Sequence, residues 1–330
     1  MQASSSRYTS AMPSPLQLLG RAVRQPLRQW VRTAFPREPA GAVDYEQPIG
    51  DPGLFGPESV IWKIHADFAG MLAGGLSALI LQTLHPAALA GVYDHSNFRR
   101  DLVGRLRRTT AFVGATTYAP TSAAQQMILR VRAIHHQVKG FTADGQPYAA
   151  DDPALLTWVH VTEVSSFLQG YRRYGRHDLP AAAIDGYFDE SRRIAEALGA
   201  TDVPASLAEV EAYLQAIQPQ LRFDARSREV LDVLTRIQLP VPLAGPSREL
   251  FLGAGVALLP DWALARLDHP ALSRSRARWT SHALQQMAPW FRGALTDGVA
   301  SKACRRMGVS PTILQQWPVC CGYSPESRRT

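Results

Sequence analysis

The sequence is poor in cysteine, and what it has lies late: Cys304, Cys320 and Cys321 are its three thiols. Adjacent Cys320 and Cys321 suit ordinary disulfide geometry badly, and three thiols supply neither a disulfide framework nor a four-cysteine zinc site. Reduced thiols in a cytoplasmic protein are therefore expected. A secretory signal is also missing, because the opening MQASSSRYTSAMPSP has no charged start followed by an apolar run and cleavage site. Neither GxGxxG, Walker A, HExxH, GxSxG nor a CxxC pair occurs. Dinucleotide, P-loop, zinc-protease and serine-hydrolase chemistry thus lose their usual sequence support. Strand-like alternation is scarce, and no repeat of fixed period is found.

What is present is ordinary globular composition: 330 residues, 46% hydrophobic and 19% charged, enough to bury a large core. The net charge is +7 and the pI about 9.6. Part of that excess lies in two flanks, Arg7, Arg21, Arg24, Arg28, Arg32 and Arg37 at one end and Arg305, Arg306, Arg328 and Arg329 at the other. With no groove-reading or aromatic-stacking motif, nucleic acid is not expected as a partner. Residues 1–45 read as a basic, Ser/Pro-rich arm whose amphipathic piece LQLLGRAVRQPLRQWVRTAF suits a peripheral contact with the domain or an anionic surface. Residues 46–330 read as one helical domain. The run Phe68–Val92 carries no formal charge and is long enough to span a bilayer. Its glycines and the His85-Pro86 step favour a buried core helix that ends or kinks there.

Punctuation by Gly and Pro gives an all-α reading. A helix is expected from Ser122 to Val138, capped by Pro120-Thr121-Ser122 and ended by Gly140 in a left-handed conformation. FTADGQPYAA reads as a small hairpin, and Asp152-Pro153 as the cap and first turn of the next helix. Later helices are expected at 181–198, 206–217, 227–237, 248–258 and 269–286.

Histidine is the chemistry that remains. His135 shares a helical face with Ala124, Ile128, Val131 and Val138, whereas His136 is turned by about 100° towards Gln125, Arg132 and Lys139. In LRRTT, Thr109 falls on the stripe of Leu102, Leu106 and Val113, with Arg105 four residues earlier. His160 lies with Leu156, Val164 and Phe167, and Glu163 three residues on is placed to hold the other ring nitrogen. His85 and His95 read as structural. On the residues alone, each of these also fits a hydrogen-bonded core polar group or a solvated basic face.

The strings LHPAALAGVYDHSNFRRD, GRLRRTTAFV, VRAIHHQVKG, DGQPYAADDPALLTWVHVTEVSSFL and YFDE, running from His85 to Glu190, resemble the family of rubber oxygenases and mpaB-type oxygenases. That resemblance implies a globin-like helical core holding haem b. It implies His135 as proximal iron ligand, with Arg132 and His160 beside the cofactor. It places Arg105, Arg108 and Thr109 on the distal side, where they would polarise dioxygen for attack on an apolar, unsaturated or isoprenoid substrate. Arg108 departs from the rubber enzymes, which carry Lys there; Arg does not readily deprotonate. No carboxylate matches a general base, Asp94 and Asp101 being merely nearby. The competing reading is a non-enzymatic helical protein that binds a lipid-like ligand or a partner, associated with a membrane through the arm or Phe68–Val92.

Overall fold

The structure is a computed structural model that describes residues 25–26, 28–30, 33, 43–175, 179–238, 241 and 243–317. The arm before residue 25, His177, Cys320 and Cys321 lie outside the described residues. The described chain is all-α apart from one ribbon. In order it runs α1 (Val60–His65), α2 (Phe68–Gln82), α3 (Pro86–His95), α4 (Phe98–Tyr118) and α5 (Thr121–Gln137). The ribbon β1 (Lys139–Phe141) and β2 (Pro147–Ala149) follows, then α6 (Pro153–Tyr174), α7 (Ala181–Leu198), α8 (Leu207–Ala216) and α9 (Ala225–Thr235). The last helices are α10 (Ala244–Val256), α11 (Asp261–Arg266), α12 (Arg274–Ala294) and α13 (Val299–Arg306).

The centre is the pairing of α2 with α6, onto which α10 and α12 pack. Glycine sets the approach: a Cβ on Gly170 would stand 2.2 Å from the Gly70 carbonyl oxygen, and one on Gly74 2.6 Å from that of Ser166. Such contact leaves no room for side chains, so the two backbones meet directly. Around it Trp62, Trp158, Leu168, Tyr187 and Phe188 are almost wholly buried. Asp67 caps α2 by accepting from Gly70 N at 2.8 Å, and its second oxygen takes the Arg292 guanidinium at 2.8 Å. Both partners are largely buried, so each satisfies a charge that the core would otherwise penalise.

The apolar run turns through 103° between α2 and α3. His85 makes the corner: its Nδ1 accepts from Ala88 N at 3.5 Å and Pro86 opens α3. Among the described residues no single helix is long and apolar enough to cross a membrane; only this bent pair passes, on length and composition.

Several expected boundaries move. Thr121 does not cap α5; its hydroxyl and amide both bond Asp51, at 2.7 and 3.1 Å, and Pro120 takes the cap position. Gly140 is not a left-handed terminator but pairs with Tyr148 in the ribbon, where a Cβ would lie 2.9 Å from the tyrosine oxygen. The glycine serves cross-strand packing, and the left-handed residue of the hairpin is Gly145 at φ +80°. Expected residues 269–286 become α12 from Arg274, because His269 instead accepts from Ala271 N in the preceding turn. α12 also runs on to Ala294 through Pro289. α10 starts four residues before the expected 248, at Ala244.

Of the arm, Trp30 is docked against Phe68, Phe251 and Phe291, and Arg28 donates to Ala294 O at 2.6 Å.

Candidate active site

The candidate residues come from three helices. α4 and α5 form a helical hairpin turning at Ala119-Pro120, with α4 against α1 and α5 against α7, and α6 runs through the core. α4 is interrupted at Asp101 (φ −139°, ψ 56°), whose carboxylate accepts from Gly104 N at 2.8 Å and so caps the segment that follows. Asp101 is therefore a structural cap with an exposed link to Arg108 at 3.5 Å. Asp94 is likewise engaged, receiving Tyr148 OH at 3.3 Å with Arg226 at 3.6 Å.

On α5 the expected stripe is graded. Ala124 and Ile128 are buried, while Val131, His135 and Val138 are half-buried. His135 Nδ1 is shielded and has no hydrogen-bond partner among the described residues. Burial holds its pKa below the usual imidazole value, though Asp151 nearby pulls the other way. It is therefore a neutral imidazole with an unused nitrogen. His136 differs in each respect, being exposed and bonded through Nδ1 to Asp151 at 2.9 Å. Arg132 is exposed.

On α4, Arg105 is half-buried, and Arg108 and Thr109 are exposed. Thr109 shares the stripe of Leu102, which is buried, and of Leu106 and Val113, which are half-buried, but it is itself exposed. Its hydroxyl bonds back to Arg105 O at 3.3 Å. Burial and the Arg108 charge press the Arg105 pKa down, and Glu163 opposes them.

On α6, His160 is buried, with Nε2 unbonded among the described residues and its pKa lowered to about 4 by desolvation. The expected support from Glu163 is not formed. At three residues' spacing the carboxyl turns instead to α2 and α4, where Gln82 and Arg105 are its polar neighbours and lower its pKa against burial. Glu163 keeps some accessible surface but is ringed by protein, and desolvation raises its pKa to about 7. Sequence reasoning had assigned it only as a support for His160. The signal for its own role was a carboxylate between the buried Thr162 and Val164.

One core histidine was overlooked. His65 bonds Thr117 Oγ1 through Nδ1 and Tyr187 OH through Nε2, both at 2.9 Å. Desolvation lowers its pKa to about 3. With both nitrogens used, it is a structural link among α1, α4 and α7.

Arg105 and Glu163 are brought together across α4 and α6, whereas His135 on α5 neighbours Asp151, and His135 and His160 each offer an unbonded ring nitrogen on a separate helix. Leu106, Phe112, Val113, Met127 and Val131 are half-buried on the same hairpin. Among the described residues no group of three or more His, Cys, Asp or Glu is placed to hold a bare metal ion. A porphyrin iron asks the protein for only one or two axial side chains, so single imidazoles on an apolar stripe fit that donor chemistry.

The family profile described as ER-bound oxygenase mpaB/B'/Rubber oxygenase, catalytic domain, matches residues 62–293. No curated protein and no solved structure matches the chain.

Proposed function

The chain belongs to the family of mpaB and rubber oxygenase catalytic domains and is an oxygenase, and from that premise we propose that it works with haem b on an apolar, unsaturated substrate. His135 carries this reading: a half-buried, neutral imidazole with an unbonded nitrogen stands on an apolar stripe, beside a histidine that is exposed and paired.

When bound, the haem would supply the activation of dioxygen that side chains alone do not provide. His135 would hold it through its imidazole. Arg132, exposed on the same helix, offers a charge to carboxylate groups at the cofactor's rim. His160 would border it from α6. Arg105 supplies a fixed cationic donor from a half-buried position, where lower dielectric strengthens its field. Arg108 is exposed and tied to Asp101, so it suits the outer edge of the site. Thr109 must release its bond to Arg105 O to donate inward. Leu106, Phe112, Val113 and Met127 would exclude water and receive an apolar substrate.

An absorption spectrum of freshly purified protein, followed by titration with haem, tests the proposal. A Soret band should be present or form on addition, should be lost or strongly shifted in His135→Ala, and should persist in His136→Ala. Haem-free protein that also refuses added haem would end the reading.

A further inference from the structure

α12 shows two faces. Ala277, Ser281, Leu284, Ala288 and Phe291 are buried against the core. On the opposite side Trp279, Met287 and Trp290 are 78%, 37% and 45% exposed. At 100° per residue they lie within an arc of about 80°, with exposed Ala283 between them. Two exposed tryptophans on one helical face are not ordinary surface composition.

The charge on this helix has one sign. Arg274–Ala294 contains Arg274, Arg276, Arg278, Arg292 and His282 and no acidic residue. Arg292 is turned inward to Asp67. Arg274 is linked to Asp261 at 2.9 Å and Arg276 to Glu249 at 3.6 Å, both in exposed positions. His282 is exposed near the edge of the tryptophan stripe, and Arg278 is exposed about 100° round the helix from Trp279.

The arm joins at the same place. Arg28 bonds Ala294 O and Thr296 Oγ1, so its charge stands at the C-terminal end of α12. Basic residues therefore flank the stripe along the helix and at its end.

We propose that the outer face of α12 docks on an anionic lipid bilayer. Indole rings settle at the boundary between headgroups and acyl chains, where the ring is apolar and its N–H stays wet, and Arg attracts anionic headgroups within a Debye length. A second copy of the chain is the poorer occupant. A twofold pairing of this face brings together two helices that carry basic residues and no acidic one.

The test is co-sedimentation of the full chain with vesicles of phosphatidylcholine alone or mixed with phosphatidylglycerol. Binding should require phosphatidylglycerol and weaken at raised salt. Trp279→Ser combined with Trp290→Ser should reduce the bound fraction on the order of tenfold or more, since each ring contributes its buried apolar area. Arg278→Glu should reduce binding while keeping both rings. Both variants change exposed positions, and an unaltered melting curve confirms that each is folded. Failure of the wild type to bind mixed vesicles would overturn the proposal. So would binding that the double tryptophan variant leaves intact, which would place the contact elsewhere. A lipid-free dimer that the double variant dissolves would make this face a subunit interface.

Discussion

The α2–α6 centre and the α4–α5 hairpin differ in how they are packed. α6 buries residues along its whole length, from Leu155 to Tyr174. α4 buries Phe98 and Leu102 at one end and Ala115–Tyr118 at the other, and α5 buries only Ala124 and Ile128. Arg105, Arg108, Thr109, Arg132 and His135 all sit on the thinly packed hairpin. The centre supplies stability through backbone contact and a buried ion pair; the hairpin carries groups whose hydrogen bonding is incomplete. Most of the candidate site thus sits on the hairpin, with His160 and Glu163 added from α6, and the difference can be broken experimentally.

The largest effect is expected at the centre. Asp67→Ala removes the cap of α2 and strands a largely buried Arg292, so it should cost about 3–5 kcal/mol of unfolding free energy. Chemical denaturation measures it. A cost below about 1 kcal/mol would show that water satisfies Arg292 and that the centre is less dry than described.

Next comes activity on the hairpin. Arg105→Ala should keep the Soret band and lose on the order of 10²–10³ in oxygen uptake with a responsive unsaturated substrate, the cost of losing one preorganised donor. Wild-type uptake in both Arg105→Ala and Thr109→Ala would remove the distal assignment. Loss of haem in both would make these residues holders of the cofactor.

A smaller effect is expected from pH, with opposite signs on neighbouring turns of α6. The folded His160 pKa, about 4, lies below the ordinary 6.5. The unfolded chain therefore binds the extra proton as pH falls from 6.5 to 4, and stability falls with it. The folded Glu163 pKa, about 7, lies above the ordinary 4.5, so stability falls as pH rises through that window. His160→Gln should relieve about 2–3 kcal/mol of acid destabilisation near pH 4, relative to neutral pH. Glu163→Gln should gain stability at pH 8 relative to pH 4.5. Melting curves across pH that leave either variant parallel to wild type would show that its group is solvated.

The smallest effect belongs to the outer surface of α5. Leu129 and Ile134 are 61% and 52% exposed, so Leu129→Ser and Ile134→Ser should stay within about 0.5 kcal/mol of wild type. A clear loss of stability would mean that this surface is covered in solution.

The helices were legible wherever local chemistry fixed them. Asp152 accepts from Ala154 N and Leu155 N ahead of Pro153, as its sequence position implied. Ser206 caps α8 through Glu209 N, and His85-Pro86 turns the chain. Gly140 and Thr121 were misplaced because long-range partners, Tyr148 and Asp51, outbid the local motif. The graded stripe under His135 followed from helical period alone. The exposure of Thr109 did not, because the period says which residues share a face and not how far along the helix that face is covered. Glu163 was misread for a related reason: spacing of three puts a carboxyl near His160, but it is Gln82 and Arg105 on other helices that decide where it points.

One contact at the turn of the hairpin ties residues from both ends of the described chain to α5. Arg306, fully buried, donates to Asp51 O at 2.7 Å and Tyr45 O at 2.8 Å, and Asp51 in turn holds the start of α5 through Thr121. The two chain ends thus form a strap that closes beneath the helix carrying His135. Both halves of the strap lie outside residues 62–293, the extent of the family match. A chain trimmed to that match would keep every candidate site residue while releasing the footing of α5.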